Sequence, residues 1–357
     1  MAVKLFKKLL FLGLLSVSFA DNLSFKLGLR LEDNLNDVRN FIVDTTSSND
    51  FVLNSRQFLR PAGKHNTFNP DKSSTLEKLT RQYSVDYIEL YNDANSSVKG
   101  ILVEDALFSP VANVRFRFGV VDTVEGQVNP AKSNDGQWSV GRVGLDRSTK
   151  GQTTLKQGLF DLVLEHTLCG SIVESEDAHI VSTDLGYPSS RYESSKIIAI
   201  PAETNSNLWK ISSVKVSLQN TQSSVRSAVL STTLDALSLP VNEFSGIIKE
   251  FGAVKENGEY YVEDLSKLSN ILVSVKEIVF EVKPSAFTEP VNQRYRLKLR
   301  SNTENVFVLG TPFWINNGYC LDFVKNEVTF FKPSQDLSLL QKKVNGAISN
   351  VEVVRKH

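Results

Sequence analysis

The sequence predicts a mainly β protein built as two lobes, and three observations predict it. Apolar residues recur at every second position in many short segments, as they do in strands that bury one face. Helical spacing of apolar residues is scarce by comparison. The 357 residues are too many for one small domain and suit two of ordinary size.

The N-terminus has a basic cluster of Lys4, Lys7 and Lys8, then an apolar run from Leu9 to Leu15 broken only by Gly13. Ser18-Phe19-Ala20 puts small residues where a signal peptidase reads them. The pattern predicts a secretory signal over residues 1–20 with cleavage after Ala20. The apolar run is too short to span a bilayer, and no later segment is apolar enough to do so. In a secreted chain, Asn22-Leu23-Ser24 and Asn95-Ser96-Ser97 become N-glycosylation acceptors at Asn22 and Asn95. Cys169 and Cys320 are the only cysteines. They form either one disulfide or two buried thiols.

Four alternating sets mark strands: Phe25/Leu27/Leu29/Leu31, Val114/Phe116/Phe118/Val120, Val214/Val216/Leu218 and Tyr295/Leu297/Leu299. Clusters of Asn, Asp, Gly, Pro and Ser separate them, as in sandwich or barrel proteins. One helix is expected after Pro240, where Phe244, Ile247, Ile248 and Phe251 fall at i, i+3, i+4 and i+7. The stretch 334–357 shows no strong period and reads as an appended tail, partly helical.

Composition narrows the chemistry. Hydrophobic residues make up 41% and charged residues 22%, with a formal net charge of +0. That balance gives no electrostatic footprint for nucleic acid or an anionic membrane. Two cysteines and four histidines (His65, His166, His179, His357) are poor material for a zinc or iron–sulfur site, so no metal or cofactor is expected.

Two stretches resemble one another. Phe41-Ile42-Val43-Asp44-Thr45-Thr46-Ser47-Ser48-Asn49 and Ala228-Val229-Leu230-Ser231-Thr232-Thr233-Leu234-Asp235 each run an apolar strand into a small polar turn. The first resembles the Asp-Thr-Gly-Ser-Ser-Asn signature of pepsin-like aspartic proteases. The second resembles that family's Asp-Thr-Gly-Thr-Ser but begins with serine. Phe68 to Thr75, Gly100-Ile101-Leu102, Trp209-Lys210-Ile211, Val308-Leu309-Gly310 with Phe313, and Tyr319 to Phe331 resemble further family landmarks in family order.

The resemblance covers about Leu23 to Pro333. It implies a bilobal fold with two β-barrel-like lobes, a central cleft and an interlobe sheet. The N-terminal lobe would span 21–184 and the C-terminal lobe 185–333. Cys169 and Cys320 would lie near the shared sheet, where a bridge could tie the lobes. Tyr91 would be the flap tyrosine, and Phe51 would replace the tryptophan that supports it. Thr45 and Thr232 would bond across the lobe interface. Thr46, Phe51, Tyr91 and Thr233 would line the ligand cleft.

The family's reaction needs two carboxyl groups that share one proton and hold one water, one acting as base and the other as acid. Asp44 takes the first position and Ser231 the second. A serine hydroxyl cannot share that proton, and losing one acid–base partner costs on the order of 10²–10⁴ in rate. Both signature glycines are replaced, by Thr46 and Thr233, where a β-branched residue would resist special backbone geometry and crowd the cleft. Ser139 falls where the N-lobe apolar-apolar-Gly motif is expected to have its glycine, which makes Asp135-Gly136-Gln137-Trp138 a degraded copy. Only Asp21 and Asn22 separate the signal from the first strand, leaving no room for a propeptide. Asp235, four residues after Ser231, is expected to point elsewhere.

These observations favour a secreted, non-catalytic, monomeric homologue that binds a peptide, a small ligand or a protein through its cleft or loops. One alternative is an atypical endopeptidase, including one that assembles Asp44 from two chains. The other is a decoy or inhibitor of another hydrolase.

Overall fold

The computed structural model describes residues 15–19, 23–31, 38–88, 95–108, 113–133, 136–148, 151–186, 195–218, 222–334 and 348–356. The fold is mainly β, as expected. Three seven-stranded sheets and one four-stranded sheet make up the described strands.

The first lobe carries the sheet Lys26–Arg30, Val38–Asp44, Gly141–Gly144, Phe51–Leu53, Asn113–Gly126, Asn95–Phe108, Glu77–Ile88, in that spatial order. The second lobe carries Ile278–Val282, Ile271–Val275, Lys210–Ser217, Arg226–Leu230, Val306–Leu309, Leu237–Pro240, Leu299–Asn302. The two centres repeat one arrangement. Val38–Asp44 runs parallel to Gly141–Gly144, which is antiparallel to Phe51–Leu53. Arg226–Leu230 runs parallel to Val306–Leu309, which is antiparallel to Leu237–Pro240. The similarity of the two sequence signatures is thus a similarity of place.

The alternating sets behave as strands with one buried face: Phe25, Leu27, Leu29 and Leu31 are buried, as are Phe116, Phe118, Val120, Val214, Val216 and Leu218. Tyr295/Leu297/Leu299 is divided between two sheets, because the chain breaks at Lys298 between Arg294–Leu297 and Leu299–Asn302. The helix Val241–Glu250 buries Phe244, Ile247 and Ile248, and its cap Phe251 is buried too. One apolar core runs through both lobes. It joins Phe25, Phe41 and Phe118 to Trp209, Phe313 and Phe330.

The third large sheet lies between the lobes, in the order Leu15–Phe19, Ile348–Arg355, Ala178–Leu185, Thr167–Glu174, Gly318–Asp322, Glu327–Phe331, Lys196–Pro201. Cys169 and Cys320 are direct register partners in it and form a disulfide. The expected lobe boundary at 184/185 falls at the end of Ala178–Leu185.

One reading of the chain ends changes. Within the stretch 334–357, expected as a partly helical appended tail, the described residues Ile348–Arg355 form a strand antiparallel to Ala178–Leu185. Its Ile348, Asn350, Val351, Glu352 and Val354 are all buried. A strand covered on both faces loses the period-two signature that would reveal it. Glu352 pairs with Lys26 of the first lobe (3.2 Å), and both side chains are 5% exposed. At the other end, Leu15–Phe19 falls within the expected signal and lies parallel to Ile348–Arg355. Asn22 lies outside the described residues. Asn95 pairs with Ile88 at the start of its strand, and its side chain is not described.

Candidate active site

Both signature loops leave the ends of parallel strand pairs and meet at the lobe interface. The Thr45 N–H donates to Thr232 Oγ1 (3.1 Å), and Thr45 Oγ1 donates to the Leu230 carbonyl (3.1 Å). Thr232 Oγ1 in turn donates to the Val43 carbonyl (2.6 Å). Buried hydroxyls satisfied this way fix one geometry, since breaking the set strands polar groups away from water. Indole bonds add to the closure. Trp209 Nε1 donates to the Leu145 carbonyl of the other lobe (3.0 Å), and Trp314 Nε1 to the Ser231 carbonyl (3.2 Å).

Above the loops lies a cleft of about 340 Å³, with Asp44, Thr46, Ser231 and Thr233 on its floor and Tyr87 on its wall. Asp44 is 1% exposed. Its Oδ1 accepts from the Thr46 N–H (2.8 Å) and from Thr46 Oγ1 (2.6 Å). Its Oδ2 accepts from Arg142 Nη1 (2.8 Å). Ser231 is equally buried, and its Oγ accepts from the Leu234 N–H (3.1 Å) and the Thr233 N–H (3.3 Å). The serine therefore braces its own turn. Asp235 turns the other way, accepting from Thr311 Oγ1 (2.7 Å) and pairing with Lys298 (3.0 Å), and it lines a different cavity.

Nothing in the sequence singles out Arg142, whose place follows from the motif's true glycine. Gly144 and Gly310 stand at corresponding places, each at the end of the strand parallel to the one that leads into a signature. A Cβ on Gly144 would lie 2.5 Å from the Asn49 nitrogen, and one on Gly310 would lie 2.2 Å from the Leu234 oxygen. Only glycine permits backbones to approach this closely. The N-lobe motif is therefore Arg142-Val143-Gly144, with its glycine kept, and the assignment of that glycine to Ser139 was wrong. Ser139 lies ahead of the strand, its N–H donating to the Ala131 carbonyl. Two residues before the glycine, the second lobe has buried Val308. The first lobe has Arg142, its side chain 12% exposed.

The threonine substitutions also differ from expectation. Neither Thr46 nor Thr233 is among the described residues with positive φ, so the backbone carries no left-handed strain at either turn. Their side chains do project into the cleft. Tyr91 lies outside the described residues. The tyrosine that packs on Phe51 is Tyr87, with ring centroids 5.6 Å apart and edge to face. Tyr87 Oη donates to the Asn49 carbonyl (3.3 Å), and its ring lies 5.0 Å from the Arg142 guanidinium carbon.

A second set of ionisable groups underlies the floor. Asp50 is buried, and its Oδ1 accepts from the Gly144 N–H (2.7 Å). Burial pushes its carboxyl up to about 7, against the lowering influence of Thr153, the Gly144 N–H and Lys156. Burial also raises Asp146, which Lys156 opposes, and burial lowers Lys156 itself. Among the described residues there is no cluster of three metal-ligating side chains, and no helix is long and apolar enough to cross a membrane.

The comparisons agree with this architecture. The eukaryotic aspartyl protease family matches residues 36–332. Pepsin A of Sus scrofa is 24% identical over 255 residues, 69% of this chain and 64% of that protein. Rhizopuspepsin-2 of Rhizopus niveus is 26% identical over 66% of this chain and 60% of its own length. Gastricsin of Cavia porcellus is 23% identical over 81% of this chain and 75% of its own. With paired lobes, two cross-bonded signature loops and a family match over most of its length, this chain belongs to the eukaryotic aspartyl proteases.

Proposed function

We propose that this chain is a secreted, non-catalytic member of the family that uses the interlobe cleft to bind a ligand. The observation that carries the reading is the engagement of Asp44. Thr46 takes one carboxylate oxygen, Arg142 takes the other, and the opposite loop offers Ser231. Two carboxyls sharing a proton can supply a base and an acid in turn. A guanidinium supplies a counter-charge but no transferable proton. The serine hydroxyl is not an acid in the working range either, and among the described residues no histidine bonds to it as a base would. The cross-bonded threonines Thr45 and Thr232 persist, and with them a concave site of a size that suits a small ligand or a peptide segment. The interlobe disulfide supports an oxidising compartment. Glycans at Asn22 and Asn95 follow from the same reading.

A peptide-library cleavage assay from about pH 3 to pH 7, which spans carboxylate and histidine titration, tests it. The natural chain gives no pepstatin-sensitive turnover. The variant Ser231→Asp/Thr46→Gly/Thr233→Gly gains none until Arg142→Leu is added, because the guanidinium still occupies Asp44. Pepstatin-sensitive turnover by the natural chain sinks the proposal in favour of an atypical endopeptidase.

A further inference from the structure

We propose that the cleft recognises a ligand carboxylate, held between Arg142 and Lys132 on the first-lobe wall. The inference rests on the reading that the cleft binds rather than cleaves. Arg142 spends only part of its fork inside the protein. Nε donates to the Pro130 carbonyl (3.0 Å) and Nη1 to Asp44 (2.8 Å), while Nη2 makes no hydrogen bond among the described residues. The guanidinium is nearly buried and faces the cleft, its carbon 5.0 Å from the Tyr87 ring centroid. It cannot swing away to find water as a surface arginine would, so its remaining N–H groups are a fixed donor pair. A guanidinium bound to one carboxylate on one edge still matches a second on another edge.

Lys132 lines the same cavity. Its ammonium lies 4.9 Å from the Trp138 ring centroid and makes no ion pair among the described residues. Two of the three acids that line the cleft among the described residues are already held by bases of the protein. Asp44 is held by Arg142 and Thr46, and Asp146 lies 3.6 Å from Lys156. Asp86 is exposed on the Glu77–Ile88 strand. Across the floor, Ser231 and Thr233 offer hydroxyls to polar groups flanking the carboxylate. The second lobe has Val308 where the first has Arg142, so the anion-binding character belongs to one side of the cleft only.

The test uses the full secreted chain and one library of N-acetylated apolar pentapeptides made twice, with a C-terminal carboxylate and with a C-terminal amide. The carboxylate form binds about ten-fold more tightly, as expected for hydrogen bonds to a charged partner. Lys132→Gln, a surface change, narrows the difference. Asp44→Asn/Arg142→Gln abolishes it while keeping a neutral, hydrogen-bonding pair in the buried place. Circular dichroism verifies that this variant is folded. Equal binding of the two forms, or binding of neither, overturns the carboxylate assignment and leaves the non-catalytic reading standing. Cleavage of either form overturns the non-catalytic reading instead.

Discussion

Asp50 sits under the first signature loop with 1% of its surface exposed. One oxygen accepts from the Gly144 N–H, and the other has no partner among the described residues. Replacing it with asparagine keeps its shape and the bond to Gly144 while removing its ionisation. Burial lifts the carboxyl from 3.8 to about 7 in the folded chain. A shift of about 3 pH units at about 1.4 kcal/mol each means that ionising Asp50 in place costs on the order of 4 kcal/mol. The sign follows from proton counts. Between about pH 4 and pH 7 the folded state holds a proton that the unfolded state has released, so stability falls as pH rises. The contribution is fully present below the unfolded value of 3.8 and is lost as pH passes through about 7. Asp146, also raised, acts in the same direction. Urea unfolding of the natural chain and of Asp50→Asn, at intervals from about pH 4 to pH 8, isolates the Asp50 contribution as a difference curve. The variant gains on the natural chain by on the order of 4 kcal/mol across that range. A difference that stays flat to within about 1 kcal/mol would refute a buried, near-neutral Asp50.

Four further outcomes follow from the ion pairs and the interlobe sheet. Arg142→Leu strands Asp44 in a buried place and costs about 3–5 kcal/mol in urea unfolding, whereas Asp44→Asn/Arg142→Leu recovers most of it; equal losses would mean that the pair is not coupled. Cys169→Ala/Cys320→Ala opens a crosslink with a sequence separation of 151 residues. By the chain-entropy relation this lowers stability by up to about 5 kcal/mol, and unchanged unfolding in reductant would contradict it. Glu352→Leu removes the buried Lys26–Glu352 ion pair and lowers stability in urea unfolding; an unchanged midpoint would contradict it. Truncation after Ser334 removes the whole strand beside Ala178–Leu185, and thermal unfolding then loses cooperativity; a truncated chain with native unfolding would show that strand to be dispensable.

Much of this molecule is legible along the chain because its signals are local. Alternation of apolar residues depends only on which face of a strand is buried, so Phe25 to Leu31 and Phe116 to Val120 declare themselves without a partner. The two signature loops are runs of adjacent residues, and they name Asp44 and Ser231, with Thr45 and Thr232 beside them. The features that define the site's chemistry are pairings across long separations. Arg142 reaches Asp44 over 98 positions, and in sequence it reads as one more polar residue in a short strand. Register fixes that pair: Val43 aligns with Val143 and Asp44 with Gly144, which puts Arg142 beside the carboxylate and identifies Gly144 as the glycine of the motif. The same holds for Tyr87, which the fold of the long hairpin brings onto Phe51, and for Ile348–Arg355, whose two covered faces erase its period. Local pattern determined the strands and the loops. Strand register and the packing of two lobes decided what surrounds Asp44, because side-chain neighbours in a sheet come from the partner strand rather than from the residues next in line.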